Sequence, residues 1–362
     1  MSVGVPQQGP GAPRARLTIR FEHEHDVTFA CMGCTFRLLV GPPGGAAATV
    51  AAQAELAELD ARLSRFRPDS ELSRLNADAR ATVPASAPLR ATVRAALWAA
   101  QRSGGLVDPT LVGALERAGY ASSLADARPA PLADALRAAP PRRPARPHPD
   151  ARWRAVAVDD DAGTITRPPG LRLDSGGVGK GLAADLLAER LAAHARFAID
   201  AAGDVRVGGA RTAGRPHEID VAHPWEEEPI GTLRLAAGAI ATSGIGSRLW
   251  KTPGGGHAHH LLDPATGAPA WTGLVAATAL APTALEAETL AKAALLSGPR
   301  GAHRWLAEHG GVVVHDDGAP EWIGPIRPQQ RTPPERQPPR LRIALPVPAP
   351  RPPAPPPGGR TP

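Results

Sequence analysis

The segment Arg172–Asp185, RLDSGGVGKGLAAD, brings a carboxylate at Asp174, four glycines and the ammonium group of Lys180 close together. Glycine adopts backbone angles closed to other residues and lets a ligand approach the main chain, and the first turn of a helix offers free N–H groups to an anion. Leucine spacing over 182–191 predicts an amphipathic helix after the glycines, and we expect a strand before them. The segment therefore predicts a strand-to-helix turn that grips a phosphate group.

Two common phosphate motifs do not fit this segment. A P-loop needs glycine at position 174 and serine or threonine at position 181, where Asp174 and Gly181 stand. The dinucleotide fingerprint fails because the third glycine comes one residue early. Short glycine motifs also match by chance, so a plain glycine-rich turn with a solvated lysine remains an alternative.

Six other segments accompany the glycine turn in a particular order. They are Met32–Thr35, Leu63–Asn76, Gly105–Thr110, Ile199–Gly208, Ala241–Gly244 and His260–Gly267. Together with the glycine turn, their order and spacing resemble the ApbE family of FAD:protein FMN transferases over about residues 28–324. The resemblance implies an α+β fold, formed by a single T-fold-like catalytic unit over 28–325.

The ends of the chain differ in composition from the rest. Residues 327–362 contain seven arginines, one acid and 14 of the 42 prolines, and supply as much positive charge as the whole chain's +6. We expect this tail, taken from 326, to be disordered, with a variable N-terminal segment over 1–27 and a Pro/Arg-rich surface insertion at about 121–152. A basic face or motif for nucleic acid is not apparent, and no export signal or apolar run long enough to span a membrane is visible, so we expect a cytoplasmic protein.

Hydrophobic periodicity predicts mixed elements. Leu56, Leu59, Leu63 and Phe66 are spaced as one buried stripe of a helix that ends near Ser70. Strands are predicted over 197–207, 232–235, 239–242 and 274–281. Thr283 and Glu286 form a capping-box pattern, which predicts a helix from there to about Ser297. The absence of regular βαβ repeats indicates an α+β fold.

The resemblance also implies an activity. Members of the family cleave the pyrophosphate of FAD and attach FMN to a Ser or Thr hydroxyl of an acceptor flavoprotein, with Mg²⁺, releasing AMP. Family acceptors resemble subunits of ion-pumping or electron-transport flavoproteins with a Ser/Thr-Gly-Ala-Thr type motif. Such a transfer needs positioning, neutralisation of phosphate oxygens and a base for the incoming hydroxyl.

The resemblance assigns roles to particular residues. Asp174 and Lys180 match flavin-nucleotide contacts, and the carbonyl of Gly177 matches a magnesium ligand. The positions that match ring-packing contacts to FAD are Met32, Phe66, Leu106, Val107 and Asp108. Phe66 is equally consistent with a plain core position, because its leucine neighbours share the same helical stripe.

The pattern His-x-x-Asp-Pro at His260 provides a candidate base. Histidine titrates near neutral pH, and Asp263 follows three residues later to orient either the turn or the ring. A lone histidine is more often structural, but the motif favours catalysis. Thr242 and Ser243 would donate hydrogen bonds to phosphate.

The sequence departs from the family at the helix after Thr283. Relatives have an Asp and, four residues later, a Thr as side-chain magnesium ligands, where this chain has Glu288 and Lys292. A charged lysine has no lone pair for a metal. Two interpretations of this pair are open. Glu288 and Lys292 form an ion pair on a solvated helix face worth roughly 0.2–0.5 kcal/mol, or Lys292 supplies positive charge to the pyrophosphate. The alternatives to a transferase are a non-catalytic FAD-binding protein and a Mg²⁺-dependent FAD pyrophosphatase.

Two other sets of residues suggest metal or redox chemistry. Cys31 and Cys34 form a Cys-x-x-Cys pair, but zinc needs further ligands and none are spaced to match, which favours a structural role. Alternation along a strand would place His257 and His259 on one face and His260 on the other, which argues against a shared metal.

Overall fold

A computed structural model describes residues 15–17, 24–124, 127–212, 216–326 and 328. The tail expected to be disordered lies outside these residues except for 326 and 328, and so does most of the N-terminal segment. The strand Ala15–Leu17 nevertheless lies within 1–27, and the strand His25–Cys31 starts there and extends beyond it.

The strands and helices alternate irregularly along the chain. The strands are β1 (Ala15–Leu17), β2 (His25–Cys31), β3 (Cys34–Val40), β4 (Thr82–Pro84), β5 (Ala157–Asp159), β6 (Thr164–Thr166), β7 (Phe197–Ala201), β8 (Asp204–Gly208), β9 (His217–Val221), β10 (Gly231–Leu235), β11 (Gly238–Gly244), β12 (Leu249–Lys251), β13 (His257–His259), β14 (Leu274–Ala281), β15 (Gly311–His315) and β16 (Pro320–Ile323). The helices are α1 (Gly45–Leu63), α2 (Glu71–Ala77), α3 (Ala87–Arg102), α4 (Val112–Arg117), α5 (Leu132–Ala138), α6 (Gly179–Leu191) and α7 (Ala284–Leu306), with a short 3₁₀ turn at Arg152–Ala155.

An eight-stranded antiparallel sheet forms the centre of the fold. Its strand order is β16-β15-β14-β11-β8-β7-β3-β2. Helices α1, α6 and α7 pack on one face of it, and apolar side chains on the other face pack against the three-stranded sheet β1-β9-β10. Because both faces of the large sheet are covered, all eight residues of β14 are buried.

The sequence predicted several of these elements. The α+β fold is confirmed, as are the helix over 182–191 and the strands predicted over 232–235, 239–242 and 274–281. The segment 197–207 forms two strands, β7 and β8, joined by a turn at Gly203. The hydroxyl of Thr283 caps α7 by accepting from the N–H of Glu286. Helical backbone angles are interrupted at Gly298, next to Pro299. The break follows the predicted end at Ser297 because the φ of 70° at Gly298 is left-handed and proline cannot continue the hydrogen-bond ladder.

Two expectations about elements are wrong. Helix α1 ends at Leu63, so Phe66 lies in the following turn and Ser70 caps α2 instead. Residues 171–175 form no strand. The segment 121–152, expected to be a surface insertion, contains α5 where it is described. Most of its described residues are exposed or half-buried, while Ala135 and Ala145 are buried in the main core.

No helix in the described part of the chain is long and apolar enough to cross a membrane.

Candidate active site

The glycine turn before α6 is held by hydrogen bonds from distant parts of the chain. The side-chain amide of Asn76 bonds both the N–H and the carbonyl of Leu173, at 2.8 Å each. The N–H of Asp174 donates to the carbonyl of Pro109 at 2.9 Å. These partners replace the ladder of a strand, which explains why the expected strand is absent while the position of Asp174 is fixed.

Gly181 brings α6 close to α7. A Cβ atom at this position would lie 2.7 Å from the carbonyl oxygen of Ala284 and 2.8 Å from Cα of Leu285. The N–H of Gly181 donates to Oε2 of Glu288 at 2.9 Å. A larger residue would separate the helices, so glycine is required for the first turn of α6 to reach the side chains of α7.

A cavity of about 530 Å³ opens beside this turn. Ten of the residues singled out in the sequence line it: Met32, Phe66, Leu106, Val107, Asp108, Asp174, Gly177, Lys180, His260 and Lys292. Met32 reaches it from the β2–β3 turn, where Met32 and Gly33 have φ values of 50° and 65°. The structure thus brings together segments up to 260 positions apart in the sequence.

Four predicted residues do not line the cavity. Asp263 accepts hydrogen bonds from the N–H groups of Arg146 and Ala265 and from the hydroxyl of Thr266, so its carboxylate orients the turn and not the imidazole ring. The hydroxyl of Thr242 is paired with that of Thr278 at 2.9 Å. Ser243 is buried in the same strand, and Glu288 lies behind Lys292.

One side of the cavity, here called the aromatic wall, consists of Arg65, Phe66 and Tyr120. The rings of Phe66 and Tyr120 are 5.3 Å apart, and the guanidinium carbon of Arg65 lies 4.1 Å and 4.6 Å from their centroids. Arg65 is fixed by the carbonyl of Tyr120 at 2.9 Å and by Asp174 at 3.3 Å. Flat aromatic and guanidinium surfaces of this kind suit the stacking of a heteroaromatic ring.

A second part of the lining, here called the charged wall, contains two lysines that are each paired with a carboxylate. Lys180 bonds Asp204, and Nζ of Lys292 lies 2.8 Å from Oε1 of Glu288. Side-chain exposure is 2% for Asp204 and 1% for Glu288, so both carboxylates are buried. Glu288 and Lys292 therefore do not form a solvated surface pair, and that interpretation is wrong.

The charge of Lys180 depends on its acidic neighbours. Burial lowers the pKa of its ammonium group, but the carboxylates of Asp204 and Glu288 together outweigh burial, and the pKa is raised. Burial also raises the pKa of the nearby Asp200 carboxyl to about 6. Lys180 is consequently cationic across the physiological range and can bind an anion in the cavity.

His260 is an ionisable residue of the cavity lining. Its ring lines the cavity, and its Nδ1 atom is buried without a hydrogen-bond partner among the described residues. Burial, followed by the positive charges of Arg248 and Lys292, lowers the pKa of His260 well below its usual value. The imidazole is therefore neutral at pH 7, which is the state a general base requires.

The residues at the expected magnesium site do not fit the ion. Both carboxylate oxygens of Glu288 are engaged, one by Lys292 and the other by the N–H of Gly181. The ammonium of Lys292 has no lone pair to offer, which leaves the carbonyl of Gly177 as the remaining expected ligand. No group of three or more His, Cys, Asp or Glu residues within the described ranges is arranged to hold a metal.

The other candidate metal and redox residues are accounted for by packing. His259 is fully buried edge-on against Trp271, with centroids 4.8 Å apart, and burial lowers its pKa to about 3. The thiol of Cys31 donates to the carbonyl of Leu56, and burial raises its pKa to about 12. A protonated thiol is a poor nucleophile and metal ligand, in agreement with the favoured structural role.

Sequence reasoning missed Arg65, Tyr120, Asp204 and Arg248. Arg65 stands directly before Phe66, and Tyr120 is the chain's single tyrosine, but neither belongs to a periodic or glycine-rich pattern. Asp204 lies in a quoted segment without having been given a role. It pairs with Lys180 from the β7–β8 hairpin, a tertiary contact that no sequence pattern signals.

The fold and the site define an α+β protein with a cavity lined by aromatic side chains and two lysines. Comparison with known proteins agrees with this class. The model of the ApbE family matches residues 32–314. The FAD:protein FMN transferase of Treponema pallidum is 31% identical over 266 residues, which cover 69% of this chain and 71% of that protein.

Two further proteins are similar to this chain over different shares of its length. The FAD:protein FMN transferase of Klebsiella pneumoniae is 29% identical over 165 residues, 43% of this chain and 47% of that protein. The crystal structure of the ApbE protein from Thermotoga maritima superposes with a TM-score of 0.68 at 23% identity, covering 83% of this chain and 97% of that one, and supports the fold. The chain belongs to the ApbE family.

Proposed function

We propose that this chain is an FAD:protein FMN transferase, which moves FMN from FAD to a Ser or Thr hydroxyl of an acceptor flavoprotein and releases AMP. The observation that carries the proposal is a cavity lined by the aromatic wall together with two lysines and a neutral histidine. Family membership and the names of the relatives point to the same activity.

Binding would divide the ligand between the two walls. A flavin or adenine ring stacks on Phe66 and Tyr120, because aromatic faces and the Arg65 guanidinium favour flat π-systems. The pyrophosphate then lies against Lys180 and Lys292, whose ammonium groups pair with negative oxygens. Asp108, with its Oδ2 atom buried and unpaired among the described residues, is an acceptor for a ligand N–H or O–H.

The transfer forms one bond and breaks another. The acceptor hydroxyl oxygen attacks the phosphorus on the FMN side of the pyrophosphate, the bond from that phosphorus to the bridging oxygen breaks, and AMP leaves with the electron pair. The imidazole of His260 takes the hydroxyl proton, while Lys180 and Lys292 offset the negative charge on the phosphate oxygens. The reaction needs no oxidant or reductant.

A gel assay tests the proposal. Purified protein is mixed with FAD and an acceptor domain carrying a Ser/Thr-Gly-Ala-Thr type motif, with and without Mg²⁺, and flavin fluorescence is read after denaturing electrophoresis. We expect a fluorescent acceptor band, absent when the acceptor Ser or Thr is changed to alanine.

The other outcomes identify the alternatives. A dark acceptor with FMN and AMP accumulating in solution would indicate an FAD pyrophosphatase, in which water replaces the hydroxyl. A yellow protein without turnover would indicate a flavin-binding protein. Either result contradicts the transferase proposal.

A further inference from the structure

The Glu288–Lys292 pair occupies the place where a divalent cation was expected. Oε1 of Glu288 is 2.8 Å from Nζ of Lys292, and Oε2 accepts from the N–H of Gly181 at 2.9 Å. Both oxygens of the carboxylate already have partners. Exchanging these bonds for a magnesium ion is unfavourable, because the ion would have to lose water from its hydration shell. The positive charge at this position is supplied by the ammonium group of Lys292.

Lysine is rare in this protein, which makes its positions informative. The sequence contains three lysines among 41 basic residues: Lys180, Lys251 and Lys292. Two of the three line the same cavity. Arginine supplies nearly all other positive charge. The lysines at these two positions therefore indicate that a compact ammonium group is required there instead of the planar guanidinium group of arginine.

Each of the two lysines retains donors for a ligand. An ammonium group has three N–H donors. Lys292 directs one to Glu288, and Lys180 directs one to Asp204. The buried carboxylates fix the ammonium groups in position, and both side chains face the cavity with N–H groups to spare.

We propose that Lys292, held by Glu288, replaces the divalent cation in binding the pyrophosphate of FAD, so that FAD binds with Lys180 and Lys292 and without metal. The inference rests on the proposed function in taking FAD as the ligand. It goes beyond that function because it makes this member of the family independent of magnesium. The ammonium of Lys292 acts by charge and hydrogen bonding and takes no part in proton transfer.

Calorimetric titration with FAD tests the inference. We expect the Kd of the unaltered protein in excess EDTA to equal that in millimolar MgCl₂ within about twofold, because no ligand set depends on the ion. Lys292→Thr removes one charge-assisted contact and should raise Kd roughly 10- to 100-fold in EDTA. The matched control, Lys251→Thr, changes an exposed lysine of β12 and should leave Kd unchanged.

A second variant covers the possibility that Lys292→Thr fails to fold, since it leaves Glu288 buried without its partner. Glu288→Gln/Lys292→Met removes both charges together and keeps an acceptor for the Gly181 N–H. We expect it to fold, judged by its thermal unfolding, and to bind FAD as weakly as Lys292→Thr. A third variant, Glu288→Asp/Lys292→Thr, should bind FAD tightly when Mg²⁺ is present and weakly in EDTA.

Two results would overturn the inference: loss of FAD binding when EDTA is added to the unaltered protein, or unchanged affinity in EDTA in both Lys292→Thr and Glu288→Gln/Lys292→Met. Acceptor labelling is scored separately. If FAD binds independently of metal and weakens in the Lys292 variants while no acceptor becomes fluorescent, the inference stands and the transferase proposal fails.

Discussion

The two walls of the cavity are built in different ways. The aromatic wall is made of Arg65, Phe66 and Tyr120, which meet through ring contacts of 4 to 6 Å and belong to turns. The charged wall is made of helix residues whose ammonium groups are fixed by buried carboxylates. Ring stacking tolerates small displacements, whereas a buried ion pair is costly to break. The walls should therefore respond very differently to substitution.

The largest effect is expected at His260, on the charged side. His260→Asn removes the proposed base and should lower the rate of acceptor flavinylation about 100- to 10,000-fold. FAD affinity should change little, since the ring is not a charged contact. Single-turnover gel assays measure the rate, and calorimetry measures the affinity.

The control for this variant is His257→Asn, at a histidine that does not line the cavity. A near-normal rate in His260→Asn would remove His260 from the chemistry.

Breaking the Lys180–Asp204 pair should affect both stability and binding. Lys180→Met leaves the carboxylate of Asp204 buried without its cationic partner, and should reduce the free energy of unfolding by about 3–5 kcal/mol. It should also weaken FAD binding roughly 10- to 100-fold through the loss of a charge-assisted contact. Urea denaturation and calorimetry report the two quantities.

A double variant separates the two losses at Lys180. Asp204→Asn/Lys180→Met removes the uncompensated charge and should recover most of the stability but none of the affinity. Recovery of FAD affinity in the double variant would show that Lys180 acts only through folding.

The aromatic wall should give a smaller loss. Phe66→Leu keeps an apolar side chain but removes the ring, and stacking of this kind is worth about 0.5–1.5 kcal/mol, which is roughly 2- to 13-fold in Kd. Phe29→Leu is the matched control, because Phe29 packs on Phe36 away from the cavity. Equal losses in the two variants would mean that the aromatic wall does not contact FAD.

The smallest effect is expected from pH. The pKa of His260 is lowered, mainly by burial, so the neutral base persists as pH falls below 6.5. An ordinary histidine would lose about threefold of its neutral form between pH 7 and pH 6. We expect the transfer rate at saturating FAD to fall less than this.

The carboxyl of Asp200, with a pKa of about 6, protonates in the same range as the pH falls. Measuring Asp200→Asn alongside assigns any change to the correct group. A threefold decline that survives in Asp200→Asn would place the pKa of His260 near its ordinary value.

The sequence predicted the charged wall better than the aromatic wall. Lys180 and Asp174 lie in a glycine-rich segment, and α7 begins at the capping residue Thr283, so local patterns indicated them. Local signals of this kind arise from turn chemistry and helix ends, which act between neighbours in the chain.

Long-range contacts explain what could not be predicted. Arg65 meets Asp174, and Lys180 meets Asp204, through pairings that no spacing in the sequence encodes. Glu288 and Lys292 have the i, i+4 spacing of a surface pair, and only the close approach of α6 at Gly181 shows that they are buried. Tertiary contact therefore decides the meaning of a motif that looks ordinary on a single helix.

A crystal structure of the protein grown with FAD and EDTA tests the central claim most directly. We predict electron density for the pyrophosphate between the ammonium groups of Lys180 and Lys292, and for one of the rings against Phe66 and Tyr120. Density for FAD elsewhere, or a pyrophosphate that contacts neither lysine, would contradict this account of the cavity.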